Sequence, residues 1–371
     1  MRYGFTTGSA AAAAAKAAAF MLLSGKEKTT VEIMTPKGIL YNAKINNICL
    51  KENEASCSVT KDGGDDPDIT DGMEIYAEVS FSDSDETEIK GGKGIGTVTK
   101  PGLDQPVGEA AINHVPRAMI RAAVSEVAEI FDHKGGFTVT ISAPAGEELA
   151  AKTFNPKLGI EGGISIIGTS GIVEPMSSDA LIETIRLELK QKRALGDENV
   201  IVAPGNYGQD YIKEHLGYDI DKSVKCSNFI GITIDMAAEL GFKKFFMIGH
   251  IGKLIKLSGG IMNTHSKEGD CRMELMSAFA LKAGADRETA LKLLEQVSTE
   301  AAVGVLKEKN VLKETMELVM ESIAFHMQKR AGGQMKTECL VFDNINGELG
   351  RTKGVNEWFT LQAREAEQKT L

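Results

Sequence analysis

The run Phe245-Phe246-Met247-Ile248 constrains this chain more than any other stretch. Consecutive large apolar residues that stop at a glycine are what a strand buried on both faces requires. Gly249 ends the run, and His250, Gly252 and Lys253 follow at once. That is where a parallel strand delivers its carboxyl end and where open α/β sheets hold their ligands. Gly259 and Gly260 strip side chains from the next loop, so backbone can approach a bound molecule. Asn263, Thr264 and His265 add hydrogen-bonding groups. The chain of 371 residues has a net charge of −10, yet 243–272 holds Lys243, Lys244, Lys253, Lys256, Lys267 and Arg272 against only Glu268 and Asp270. A basic, glycine-rich stretch in an acidic protein points to a local anion site. The bland reading of the same residues is a buried strand followed by a solvated loop.

The pattern around this strand is α/β. A strand is predicted over 199–203, with Pro204-Gly205-Asn206-Tyr207-Gly208 as its carboxyl-end loop. A short helix over 209–216 and a short strand over 223–225 follow. Ser227 caps a helix over 228–240, closed by Gly241. Gly205, Asn206, Ser227, Asn228 and Gly249 then emerge at one edge of a parallel sheet, a nucleotide-sized site. Helices over 270–282, 287–307 and 311–330 and a strand over 338–342 complete a Rossmann-like parallel-sheet α/β domain, placed at 196–347, with a C-terminal tail over 348–371.

The first half reads as an α+β layered domain over 1–195. Thr6, Thr7 and Gly8 open an alanine-rich helix over 10–23, and a hydroxyl-rich helix start is a natural anion seat. Strands are expected over 31–35, 39–48, 55–60, 73–81 and 137–142, and a helix over 109–131 bent near Pro116. Lys61-Asp62-Gly63-Gly64-Asp65-Asp66-Pro67-Asp68 crowds four carboxylates around a glycine pair. Such crowding costs stability, so it reads as functional, although it lacks the calcium-loop pattern. Residues 82–90 read as an exposed loop. Gly91-Gly92-Lys93-Gly94-Ile95-Gly96 lacks the strand-to-helix context of a dinucleotide fingerprint. Glycine density over 147–175 suggests tight backbone approaches. Ser178 or Asp179 caps a helix to about 195.

Composition narrows the function classes. Overall acidity argues against nucleic-acid binding, which needs a broad basic face. Cys49, Cys57, Cys226, Cys271 and Cys339 are scattered with no CxxC pair. No zinc site, no other metal and no disulfide framework are expected, and a reducing cytoplasm is the default. Cys226 reads as a small buried thiol rather than a nucleophile. Lys16 interrupts the alanine segment, so the N-terminus reads as part of the fold and not as a signal peptide. No run long enough to cross a bilayer is expected.

The motifs together resemble a known family. They include residues 4–8 with the alanine helix, the 61–68 run, Pro101-Gly102-Leu103, Pro106-Val107-Gly108, Ala111-Ile112-Asn113 and Thr153-Phe154-Asn155-Pro156. Further along come Gly171-Ile172-Val173-Glu174-Pro175-Met176, Pro204-Gly205-Asn206-Tyr207-Gly208, Ser227-Asn228-Phe229-Ile230-Gly231, Gly249-His250-Ile251-Gly252-Lys253 and Asn263-Thr264-His265-Ser266. This set is similar to the cobalt-precorrin-5B C(1)-methyltransferase family of anaerobic cobalamin biosynthesis, up to about Gly347. His114 departs from it, where a proline is expected.

The resemblance implies methyl transfer from S-adenosyl-L-methionine to C-1 of a cobalt-bound, ring-contracted tetrapyrrole, giving cobalt-precorrin-6A. Such a ring carries many carboxylates. His250, Lys253, Lys256 and Arg117 are the candidate cations, with Thr6, Thr7, Gly8, Asn263 and Thr264 as neutral contacts. The methyl donor is expected at Gly205, Asn206, Ser227, Asn228 and Gly249. Asp62, Asp65 and Asp66 are candidates for its ribose or sulfonium. His250 or His265 is the candidate base. The partners are small molecules, with no nucleic acid or membrane and with a homo-oligomer as an option. A nucleotide-dependent kinase or dehydrogenase would need a P-loop or a GxGxxG after a strand. A non-catalytic corrin carrier would not bind the methyl donor.

Overall fold

The structure is a computed structural model that describes residues 2–153, 155–175, 177–216 and 223–358. It is a mixed α/β chain with several sheets. Its contacts divide it into two compact units, the first ending at Ser178 and the second starting at Asp179.

The first unit contains β1 (Gly4–Phe5), α1 (Thr7–Ser24), β2 (Thr30–Met34), β3 (Leu40–Lys44), β4 (Asn46–Leu50), β5 (Glu54–Thr60), β6 (Glu74–Phe81), β7 (Glu88–Gly91), β8 (Thr97–Val98), α2 (His114–Ile130), β9 (Phe137–Ser142), α3 (Gly146–Ala150), β10 (Ile160–Glu161) and β11 (Ile172–Val173). Its main sheet has the order β4-β5-β6-β9-β7. Only the β7–β9 pair is parallel. Alternation selects one buried face. Ala55, Cys57 and Val59 lie opposite Val79, Ala77 and Ile75, and these are nearly or fully buried.

Helix α1 lies on that face and also packs against α2. Alanines on every side of α1 are buried, because the helix has no solvent face to make polar. Alanine also permits a close approach to the sheet, where the Cys57 thiol reaches the Ala14 carbonyl at 3.2 Å. Thr6 caps the start of α1 and Gly25 closes it at φ 66°. The one charge within the alanine run, Lys16, ends on Glu126 of α2 at 2.7 Å and on the Glu32 carbonyl at 2.8 Å. By length and composition alone α1 could cross a membrane, contrary to the sequence expectation, but here it is the centre of a protein core.

The second unit contains α4 (Ser178–Ala194), β12 (Asn199–Ala203), α5 (Asn206–Leu216), β13 (Val224–Lys225), α6 (Ile230–Glu239), β14 (Lys244–His250), α7 (Ile251–Leu254), α8 (Arg272–Lys282), α9 (Arg287–Leu294), α10 (Thr299–Glu308), α11 (Leu312–Arg330), β15 (Lys336–Asp343) and β16 (Gly347–Arg351). The sheet order is β13-β12-β14-β15-β16. The first four strands are parallel and β16 is antiparallel. Strand β14 is central, as its sequence requires. Phe245 and Met247 enter one core, with residues of α4, α6 and α8 to α11. Phe246 and Ile248 enter another, with Tyr211, Val355 and Trp358.

Several boundaries differ from the sequence reading. Helix α4 belongs with the second unit and not with the first, because Ile185 and Leu189 are buried in the second unit's core. Residues 348–358 are not a tail. β16 pairs with β15, and Trp358 is buried. The rest of that tail, 359–371, lies outside the described residues, as do Phe154 and Met176 of the quoted motifs. Residues 109–113 are not helical. Pro116 sits in the first turn of α2, where its missing amide costs nothing. The helix expected over 287–307 is two helices, because Ser298 caps a new start by accepting from the Ala301 amide at 3.2 Å. Within the loop expected over 82–90, residues from Glu88 pair with β9 as a strand.

Candidate functional site

Two polar sites stand out, one in each unit. In the second unit, β12 connects through α5 to β13 on one side, and β13 connects through α6 to β14 on the other. Strand order therefore reverses at β12. The carboxyl-end loops of β12 and β14 lie at that reversal, the place where open α/β sheets hold ligands. Pro204, Gly205 and Asn206 follow β12 there, and His250 ends β14. The backbones pass closely: a Cβ on Gly249 would stand 3.1 Å from Pro204 Cδ.

Side chains tie these loops together. Lys225 Nζ, at the end of β13, donates to Asn206 Oδ1 at 2.6 Å. The Thr264 amide donates to the Asn228 carbonyl at 3.0 Å, and their side chains meet at 3.3 Å. The buried Lys256 donates to the Thr264 carbonyl at 3.1 Å. Ser227 adopts φ 53°, the only residue other than Gly, Asn or Asp with positive φ among the described residues. Backbone strain of this kind concentrates at functional sites. Lys253 is half-buried, and no ion pair or hydrogen bond engages its ammonium among the described residues. Burial lowers its pKa; Cys226 opposes this, and Lys225 and Lys256 add to it. Cys226 itself is a buried thiol pushed up to about 12 by burial, so it is no nucleophile.

His250 caps α7: its Nδ1 accepts the Gly252 amide at 3.1 Å. The ring proton is therefore on Nε2, which lies 3.3 Å from Glu300 Oε1 without the alignment of a hydrogen bond. Burial raises the Glu300 pKa, but its own amide, the Ser298 hydroxyl and His250 outweigh that and hold the carboxyl below its usual range. With its Nδ1 lone pair engaged, His250 is built to position α7 rather than to accept a proton. His265 is exposed, and its Nδ1 accepts the Lys267 amide at 3.1 Å. Asn263 accepts the His265 amide at 3.1 Å. Glu300 lies 50 residues beyond His250 in sequence and left no motif that would reveal it.

In the first unit, a cavity of about 260 Å³ opens at the start of α1, lined by Thr6, Thr7, Lys61, Asp68, Thr70, Thr153, Asn155, Ser165, Ile164, Ile167 and Val173. The acidic run contributes differently from its sequence reading. Asp62 takes the Arg2 guanidinium, and Asp65 accepts the Arg2 amide at 2.6 Å. Asp66 lies in the same turn, its amide donating to the Gly63 carbonyl at 3.4 Å. Asp62 and Asp65 pin the first residues of the chain, whereas Lys61 and Asp68 face the cavity. Burial pushes the Asp68 carboxyl up, but the Lys61 ammonium and Thr70 outweigh that and hold it below its usual range.

Two further candidates have structural partners. A Cβ on Gly8 would meet Pro116 at 3.1 Å. Arg117 donates to the carbonyls of Ile112, Ile89 and Ala110.

Asp68 sets a pH dependence. A carboxyl depressed in the folded state stabilises it above the unfolded pKa, and that stability is lost as pH falls through the lower folded value. Asp68→Asn is expected to flatten the acid limb of the thermal-melting profile. An unchanged limb would show that Asp68 contributes nothing to it.

The second unit is thus an α/β sheet unit with a strand-reversal crevice rimmed by lysines. No group of three or more His, Cys, Asp or Glu residues able to hold a metal occurs among the described residues. This is the class of open α/β sheet proteins whose strand order reverses within the parallel sheet. The family described as CbiD matches residues 1–175, ending just before the unit boundary, and its C-terminal domain matches residues 263–353. A relative from Ruminiclostridium cellulolyticum named cobalt-precorrin-5B C(1)-methyltransferase is 49% identical over 94% of this chain and 91% of its own length. One of the same name from Thermoanaerobacter sp. is 43% identical over 94% of this chain and 92% of its own. A solved structure, the cobalamin biosynthesis protein (cbiD) from Archaeoglobus fulgidus, is 28% identical, covering 75% of this chain and 84% of that one, at a TM-score of 0.39. The chain belongs to the CbiD family, the cobalt-precorrin-5B C(1)-methyltransferases.

Proposed function

We propose that this chain is a methyltransferase of cobalamin biosynthesis that methylates C-1 of cobalt-precorrin-5B to give cobalt-precorrin-6A, with S-adenosyl-L-methionine seated at the rim of the second unit. The supporting observation is the reversal of strand order at β12; Gly205, Asn206, Ser227, Asn228 and Gly249 lie at or after the carboxyl ends of β12, β13 and β14. The residues there fit the donor. Lys225 suits its carboxylate. The Tyr207 ring, 6.3 Å from that of His250, and the ionised Glu300 suit its sulfonium. The bound donor supplies an electrophilic methyl group. The substrate carbon is the nucleophile, so the chain need only align the two and exclude water. Lys253 and Lys256, with Asn263 and Thr264, hold the acid side chains of the ring. His250 enters as a positioning residue. Only small molecules are needed as partners, and the five unpaired cysteines suit the reducing cytoplasm we propose.

Equilibrium dialysis with labelled S-adenosylmethionine tests the reading. Retention is expected, and loss of retention in Asn206→Ala with Lys225→Met would place the donor at this rim. A protein that retains no donor yet binds the ring would be a carrier, and the reading would fall. Lys253→Met is expected to weaken ring binding by roughly tenfold, the worth of one charge-assisted contact. In the unmodified protein, ring affinity should fall as pH rises through the depressed pKa of Lys253, because the anion needs the protonated form. A Lys253→Met protein that kept the same pH slope would exclude this residue.

A further inference from the structure

We infer that the cavity at the start of α1 is a seat for one aliphatic carboxylate. Its free valences are all donors. Lys61 has a side chain only 2% exposed. Its ammonium donates to Asp68 and to Thr70 Oγ1, which leaves its third N–H without an acceptor among the described residues. Thr7 is 8% exposed, lines the cavity, and its hydroxyl has no hydrogen bond among the described residues. The first amides of α1 have no partner inside the helix, and the helix dipole adds positive potential there. Ser165 donates to Asn155 Oδ1 at 2.9 Å, so the acceptor end of that amide is occupied.

The third Lys61 N–H and the Thr7 hydroxyl are both open to donate, and a ligand that brings negative oxygen satisfies both. The Asp68 carboxylate already takes Lys61 and both the amide and hydroxyl of Thr70. It neutralises the buried ammonium and leaves one N–H of it to give. Ile164, Ile167 and Val173 form an apolar wall suited to a short alkyl stem. An uncharged amide would leave the third Lys61 N–H facing a weaker acceptor, so the seat favours the acid over its amide.

Two sources share this chemistry: an acid side chain of the ring, or the amino-acid carboxylate of the methyl donor. The assignment of either source rests on the methyltransferase reading; the seat itself does not. The test is titration of the isotopically labelled full chain with acetate, propionate and acetamide, following the amide signals of Thr7, Gly8 and Thr70 by NMR. Acetate and propionate are expected to shift them saturably, and acetamide is not. Thr7→Val should weaken the effect severalfold. Lys61→Met paired with Asp68→Asn, which removes both charges together, should weaken it tenfold or more. S-adenosylhomocysteine gives the second arm: competition with propionate assigns the seat to the donor and overturns its placement at the rim of the second unit, and its absence assigns the seat to the ring. Equal shifts from acetate and acetamide, or no shift, would overturn the inference. So would acetate affinity unchanged in both variants. A protein that seats acetate but shows no methyl transfer would refute the functional reading and leave the seat standing.

Discussion

Replacing His250 with alanine is expected to lower kcat/KM by about 100-fold, the size of effect that a misplacement near 1 Å produces, and replacing it with asparagine to recover most of that loss. The reason lies in what the imidazole does. Its Nδ1 accepts the Gly252 amide, and its Nε2 faces Glu300. It therefore fixes the first turn of α7 against the start of α10, and that turn carries Lys253. Alanine leaves the amide of Gly252 uncapped, at a cost of about 1 kcal/mol in stability. It also removes the ring that Glu300 Oε1 faces at 3.3 Å. Asparagine is among the best capping residues and can accept the same amide. Steady-state kinetics with melting curves for both variants decide the matter. An asparagine variant as inactive as alanine, with a wild-type melting temperature, would show that His250 moves a proton, and the positioning role would be wrong.

Gly94→Ala is expected to destabilise the first unit by about 3 kcal/mol or more, in the range of severe backbone strain. Calorimetry should show a drop of roughly 10 °C in its melting temperature. Gly94 has φ 77°, and a Cβ there would lie 1.8 Å from the Ala143 carbonyl oxygen. It cannot move aside, because its own carbonyl accepts the Ile164 amide at 3.0 Å. Gly146 and Gly163 close the same crossing: a Cβ on either would come within 2.3 Å of the Gly94 carbonyl oxygen. Gly108→Ala is the control. Its φ is 94° but nothing stands within 4 Å, so only the conformational penalty, about 1 kcal/mol, applies. Equal losses for the two substitutions would show that the crossing contributes nothing beyond dihedral strain.

This crossing explains the glycine-rich stretches that carried no usable motif. Gly94, Gly146 and Gly163 lie far apart in sequence, and Gly146 and Gly163 are each needed because the Gly94 carbonyl stands against them. No local pattern displays such a dependence. The acidic run shows the same limit. Its crowding pointed to function, yet Asp62 and Asp65 serve the N-terminus while Lys61 and Asp68 reach the cavity. Which way each side chain points is fixed by the turn between β5 and β6 and by the Arg2 that docks on it. Arg117 shows a related dependence: three of its donors meet carbonyls of β7 and of the loop before α2.

What the sequence by itself determined was local and periodic. The apolar run at 245–248 required a central strand covered on both faces, and the α/β alternation around it required a parallel sheet. Together these placed Gly205, Asn206, Asn228 and His250 at one edge, because hydrophobic burial reads directly from residue order. Tertiary structure alone decided which partner each polar group meets. It gave α4 to the second unit, paired His250 with Glu300, and left the third donor of Lys61 open. Those outcomes depend on residues brought together across dozens of positions, where the cost of an unpaired buried polar group is settled by the fold and not by sequence neighbours.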